Sequence, residues 1–232
     1  MNKVDTERYI LKLVNPKLKK LYGNFNIIPE QIDNPDAAIE LKSRKKYKIG
    51  IEITTVDKQK TLQYLNDNKI TQPLEYKQLE DLQNNQSYSK KPMKKILIDF
   101  PKEYIFESVF KKEKKYLQYK QNGDYQEIIL IAFSSYLKID LECFKHRHKP
   151  WTNFLLSKNN FSFDKVIFVD IQTKKAVLIY DKNLPLIKEP IFDDCIKNDI
   201  TIIKSSILPI GKSVNVKDMF NEEPLITPKK NK

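Results

Sequence analysis

Residues 34–54, NPDAAIELKSRKKYKIGIEIT, restrict the possible folds more than any other stretch of the chain. Two short apolar runs, 37–41 and 49–53, flank a basic turn without Gly or Pro, and both alternate as half-buried β-strands do. Ala37, Ile39, Leu41, Ile49, Ile51 and Ile53 share one parity, whereas Asp36, Glu40, Gly50, Glu52 and Thr54 share the other. Successive strand side chains point to opposite faces, so the segment reads as a hairpin with one greasy face and one face bearing carboxylates. A slip of one residue would turn the acids into the core. The expected register therefore joins Ile39 to Ile49 and sets Asp36 opposite Glu52. Two hard oxygen ligands held on strands suit a divalent cation. Gly50, on the same face, is expected to leave room for a phosphate backbone to approach.

Pro35-Asp36, followed about fifteen residues later by Gly50-Ile51-Glu52-Ile53-Thr54, resembles the core motif of the PD-(D/E)xK nuclease superfamily. The resemblance implies a restriction-endonuclease-like α/β fold, a mixed central β-sheet flanked by helices. It implies that Asp36 and Glu52 bind Mg²⁺, with Mn²⁺ a substitute and the Ile53 carbonyl a further ligand. It also implies a catalytic lysine two residues after the Glu, where this chain has Thr54. A hydroxyl supplies no positive charge, so either a lysine from elsewhere acts or catalysis is lost. The resemblance allows a lysine migrated to the following helix, and an acid on the preceding helix, for which Glu7 is the match and Glu30 the competitor.

The following helix is expected over 103–121, ending before Asn122-Gly123, with Ile105, Phe106, Val109, Phe110, Tyr116, Leu117 and Tyr119 as its apolar stripe. Lys112 falls on the edge of that stripe and is the first choice for the migrated lysine; Lys115 is the reserve. Lys111, Lys114 and Lys115 are expected to point elsewhere, and Glu113 falls awkwardly near the middle of the stripe.

The remainder is consistent with an α/β domain over 1–210, with a polar insertion at about 68–95 and a polar tail over 211–232. A helix is expected over 5–21, broken near Asn15 by Pro16, and a short one over 57–68. Strands are expected at 96–100, an added edge strand, at 127–133, buried on both faces, and at 166–171 paired with 176–180. The segment 143–151 contains Cys143, His146 and His148, a spacing that matches no strong zinc signature. It reads instead as a basic aromatic loop with Trp151 open to a base.

With 42 basic and 30 acidic residues the chain carries a formal charge of +12, which favours a phosphate polymer as partner. Lys90, Lys91, Lys94, Lys95, Lys115, Arg147 and Lys149 are the residues expected to meet nucleic acid, DNA in the first instance. Two cysteines, no export signal and no apolar run near 18 residues lead to the expectation of a cytoplasmic protein without a membrane partner. The resemblance leaves a homodimer open. An inert nucleic-acid-binding module of the same fold, or an interaction domain with no nucleic acid at all, are the alternatives to a nuclease.

Overall fold

The computed structural model describes residues 3–29, 34–44, 46–66, 72, 76, 79–81, 83, 84, 93–191, 199–205, 217 and 221. Glu30, Lys90, Lys91 and nearly all of the 211–232 tail lie outside them. Where the sequence suggests one domain over 1–210, the chain divides into two compact units, 1–57 with 100–197, and 58–99 with 198–232.

In the larger unit, helix α1 (Lys3–Tyr22) leads into β1 (Phe25–Ile27), β2 (Ala37–Leu41) and β3 (Lys48–Thr55). Helices α3 (Tyr104–Phe110) and α4 (Glu113–Asn122) cross to β5 (Tyr125–Ser134), which runs parallel to β3. A π-helical turn (Phe144–His148) and α5 (Lys149–Lys158) then cross to β6 (Lys165–Asp170), parallel to β5, and β7 (Lys175–Asp181) closes the edge antiparallel to β6. The result is a six-stranded mixed sheet flanked by helices, in the order β1-β2-β3-β5-β6-β7.

The hairpin forms in the expected register. Ile39 pairs with Ile49 and Ala37 with Ile51, so continuing one step sets Asp36 beside Glu52. Its apolar face joins Ile129, Ile131, Ile167 and Val169 in one core, covered by Ile10, Val14 and Leu18 of α1. That burial explains why α1 runs straight through Pro16 instead of breaking: the proline lies on the exposed side, and one lost backbone bond is outweighed by packing on both sides of it. Strand β5 is buried on both faces from Ile128 to Ala132, as its continuous apolar run demands.

Three expectations are corrected. The space at Gly50 is not open to phosphate, because a Cβ there would lie 3.1 Å from Pro35 Cγ and 3.3 Å from Tyr125 Cγ. Gly50→Ala is accordingly expected to cost about 1–3 kcal/mol through overpacking, read as a lowered denaturant midpoint. The single helix over 103–121 is two helices. Lys112 N–H bonds Val109 O at 3.0 Å and Lys115 N–H bonds Lys112 O at 2.9 Å, three-residue bonds that tighten the turn and rotate the faces of α4 relative to α3. Leu117 is thereby 67% exposed, whereas Tyr119 is fully buried, and Glu113 leaves the stripe to accept the N–H and hydroxyl of Ser162. Third, 143–151 is helical, because Phe144, His148, Trp151 and Thr152, one turn apart in pairs, all bury.

The smaller unit holds α2 (Gln59–Asn66) and a two-stranded antiparallel sheet of β4 (Met93–Asp99) and β8 (Asp199–Ser205), with Ile96 opposite Ile202. The strand expected at 96–100 therefore exists but belongs to this separate sheet, not to an edge of the larger one.

Candidate active site

Glu52 lies in the middle of β3 and is 1% exposed. Its Oε1 accepts Lys112 Nζ at 2.7 Å and Lys115 Nζ at 3.0 Å, and its Oε2 accepts the Tyr119 hydroxyl at 2.6 Å. These three donors recur at positions 112, 115 and 119, the spacing that stacks side chains along one face of a helix. Burial pushes the Glu52 pKa up, but the Lys112 and Tyr119 hydrogen bonds and the Lys112 charge outweigh it, so the group is held below its ordinary 4.5.

Asp36 is buried as well. Its Oδ2 accepts the Ile53 N–H at 2.8 Å, and Lys3 Nζ stands 3.5 Å from Oδ1. Burial first, and then the Glu52 charge, raise the Asp36 pKa against the lowering by the Ile53 bond. Glu7, on the inner side of α1, is raised by burial and by the Asp36 charge, and Lys3 Nζ stands 3.4 Å from its Oε1. Three acids and three ammonium groups thus meet at one end of the hairpin. Each lysine lies where it offsets negative charge that burial would make costly.

Of the residues expected here, Asp36, Glu52, Glu7 and Lys112 come together. Lys115, expected to point away, joins them because the helix break turns it inward. Ile53 contributes its N–H to Asp36. Thr54, half-buried two residues beyond Glu52, stands where strand alternation puts it on the Glu52 side. Lys3 and Tyr119 were missed, although Lys3 lies four residues before Glu7 and Tyr119 seven after Lys112, both helix-face spacings.

The expected phosphate-binding residues fare less well. Lys94 is buried, donating to the Tyr64 carbonyl at 2.9 Å with its Nζ 5.8 Å from the Tyr64 ring, so it is committed inside the smaller unit. Lys95 is half-buried in β4, and Arg147 is half-buried in the π-helical turn. Lys149 is half-buried at the start of α5, where its charge helps to lower the Lys17 pKa, after burial and Lys20. Trp151 is buried beneath Lys102, whose Nζ lies 4.0 Å from the ring centre, so it is not open to a base. His148 is enclosed beside Phe100 while His146 is exposed against Glu142, so the two histidines do not converge as zinc ligands.

Among the described residues, no three His, Cys, Asp or Glu side chains form a group able by themselves to hold a metal ion. The donor chemistry nevertheless fits a divalent cation bound by two carboxylates. Asp36 and Glu52 are hard oxygen ligands, both buried, and near enough that the Glu52 charge raises Asp36. Lys3, 3.5 Å from Asp36 Oδ1, would compete with such a cation for that carboxylate. Opposite charges about 4 Å apart in water interact by about 1 kcal/mol, so Lys3→Met is expected to tighten Mn²⁺ binding roughly five-fold by calorimetry.

No protein-family model matches the chain, and no curated protein or solved structure matches it either. Among the described residues no helix is long and apolar enough to cross a membrane.

Proposed function

We propose that the chain is a metal-dependent nuclease with a restriction-endonuclease-like core, hydrolysing phosphodiester bonds of nucleic acid, DNA in the first instance. One observation carries the reading: Lys112, sixty residues from Glu52 in sequence, places its ammonium 2.7 Å from that carboxylate. The motif lacks a lysine at Thr54, and a charge from the following helix is what restores its chemistry. The hairpin, the helical crossover and the parallel β3 and β5 strands support the same reading.

Asp36 and Glu52 would hold a Mg²⁺ or Mn²⁺ ion, with Glu7 bearing on it through water. What such an ion supplies when bound is a lowered pKa for water and an offset to negative charge at phosphorus. Tyr119 and Lys115 keep the Glu52 carboxylate in one orientation. Lys112, 25% exposed, is the group that orients the attacking water and offsets charge on the phosphate oxygens. Pro35 and Tyr125, packed over Gly50, close the approach along β3.

The inert nucleic-acid-binding alternative would be the better reading if no ammonium reached the carboxylates, so the Lys112 contact with Glu52 favours the enzyme. The test is Mg²⁺- or Mn²⁺-dependent cleavage of plasmid and single-stranded DNA by the wild type, with Asp36→Ala and Lys112→Ala proteins alongside. Cleavage lost in both variants is expected. A wild type that binds DNA but cuts nothing under either metal would sink the enzymatic reading.

A further inference from the structure

The joint between α3 and α4 together with the first turn of α4 reads Lys111-Lys112-Glu113-Lys114-Lys115, and its side chains divide into two rows. The inner row is committed: Lys112 and Lys115 to Glu52, and Glu113 to Ser162. The outer row is Lys111 and Lys114, three residues apart, both exposed. Among the described residues neither takes part in a salt bridge. Glu113, the one acid within this five-residue segment, is held by Ser162.

Lys111 and Lys114 thus leave two exposed ammonium groups side by side, without an ion-pair partner among the described residues. We propose that Lys111 and Lys114 are the docking row for a nucleic-acid backbone, each neutralising one phosphate beside the scissile position, while the inner lysines serve Glu52. This rests on the nucleic-acid reading of the site. It adds to the basic residues expected from sequence, of which Lys94 and Lys115 are engaged within the protein. The partner is a phosphodiester chain because its charges are dense and fixed, and because each lysine that neutralises a phosphate releases a counterion. Base edges are not part of the claim; the row positions the polymer and reads no sequence.

The experiment is anisotropy of the full chain, without metal, on a labelled duplex and on the matching single strand across a range of salt. For Lys111→Ala/Lys114→Ala the slope of log affinity against log salt is expected to flatten by about 1.8 on the duplex, or about 1.4 on the single strand. Whichever polymer shows that change is the one docked. Lys111→Arg/Lys114→Arg should restore the wild-type slope, and Lys12→Ala, exposed on α1, should leave it alone. An unchanged slope in the double alanine variant overturns the inference, and if the wild type still cuts DNA the nuclease reading survives. A flattened slope in a protein that cuts nothing keeps the docking row and removes the nuclease. Wild-type affinity that does not depend on salt overturns both.

Discussion

On the proposed nuclease reading, Asp36→Asn and Glu52→Gln proteins are expected to cleave nucleic acid more slowly than the wild type by on the order of 10²–10³-fold, the scale on which one pre-organised electrostatic contact is lost. Both changes keep the shape of the side chain and remove the charge that a divalent ion needs. Asp36→Asn retains an oxygen for the Ile53 N–H, which is bonded at 2.8 Å, so the end of the hairpin keeps its geometry. Glu52→Gln leaves an amide facing Lys112, Lys115 and Tyr119, which removes their shared anion without opening a cavity. Initial rates on plasmid, with thermal midpoints measured in parallel, separate lost chemistry from lost fold. Wild-type rates from Asp36→Asn would end the assignment of that residue to the metal.

The second large effect is on stability in acid. His148 is fully buried, and burial first, with the Arg147 charge second, lowers its pKa from 6.5 to about 4. The direction is set by which state takes the proton. Below pH 6.5 the unfolded chain binds it while the folded protein does not until about pH 4. The contribution is therefore present above pH 6.5 and is lost as pH falls toward 4, a swing of roughly 3 kcal/mol. Urea midpoints at pH 7 and pH 4.5 will show the loss, and His148→Leu will flatten it. At pH 7 the leucine variant should be at least as stable, because neither ring nitrogen of His148 has a hydrogen-bond partner among the described residues. Glu127 adds a separate loss at lower pH. Burial raises its pKa, but Lys165 and Tyr22 hold it below 4.5 overall, so its stabilisation, full above 4.5, is lost as pH falls from there through the lower folded value. A leucine variant that still loses stability between pH 6.5 and 5 would show that another group titrates there.

The hairpin was legible because its information is local. A period of two, a basic turn and two acids of one parity determine register and face together, so Ile39 opposite Ile49 could be read from twenty residues. Lys112 came from the resemblance to nucleases whose lysine lies on the following helix; the single stripe that placed it at an edge is broken at that very residue. Lys115 was not legible, because its direction depends on a break of the helix that no Gly or Pro marks; three-residue hydrogen bonds make it, and the packing of Val109 and Tyr119 rewards it. The segment 143–151 misled through its composition. Lys145, His146, Arg147, His148 and Pro150 look like a solvated loop, yet Phe144, Trp151 and Thr152 pull it into helix. The pairing of β4 with β8 joins residues about a hundred positions apart, and nothing in either strand names its partner.

The interruption between α3 and α4 has a consequence for how such a chain changes over generations. A charge carried at a break between two short packed helices can be re-aimed by lengthening or shortening one turn, while β3 keeps every side chain it buries. On the proposed nuclease reading, position 54 then has no ammonium to supply and answers to the demands of the sheet alone. A threonine, β-branched, suits such a strand position.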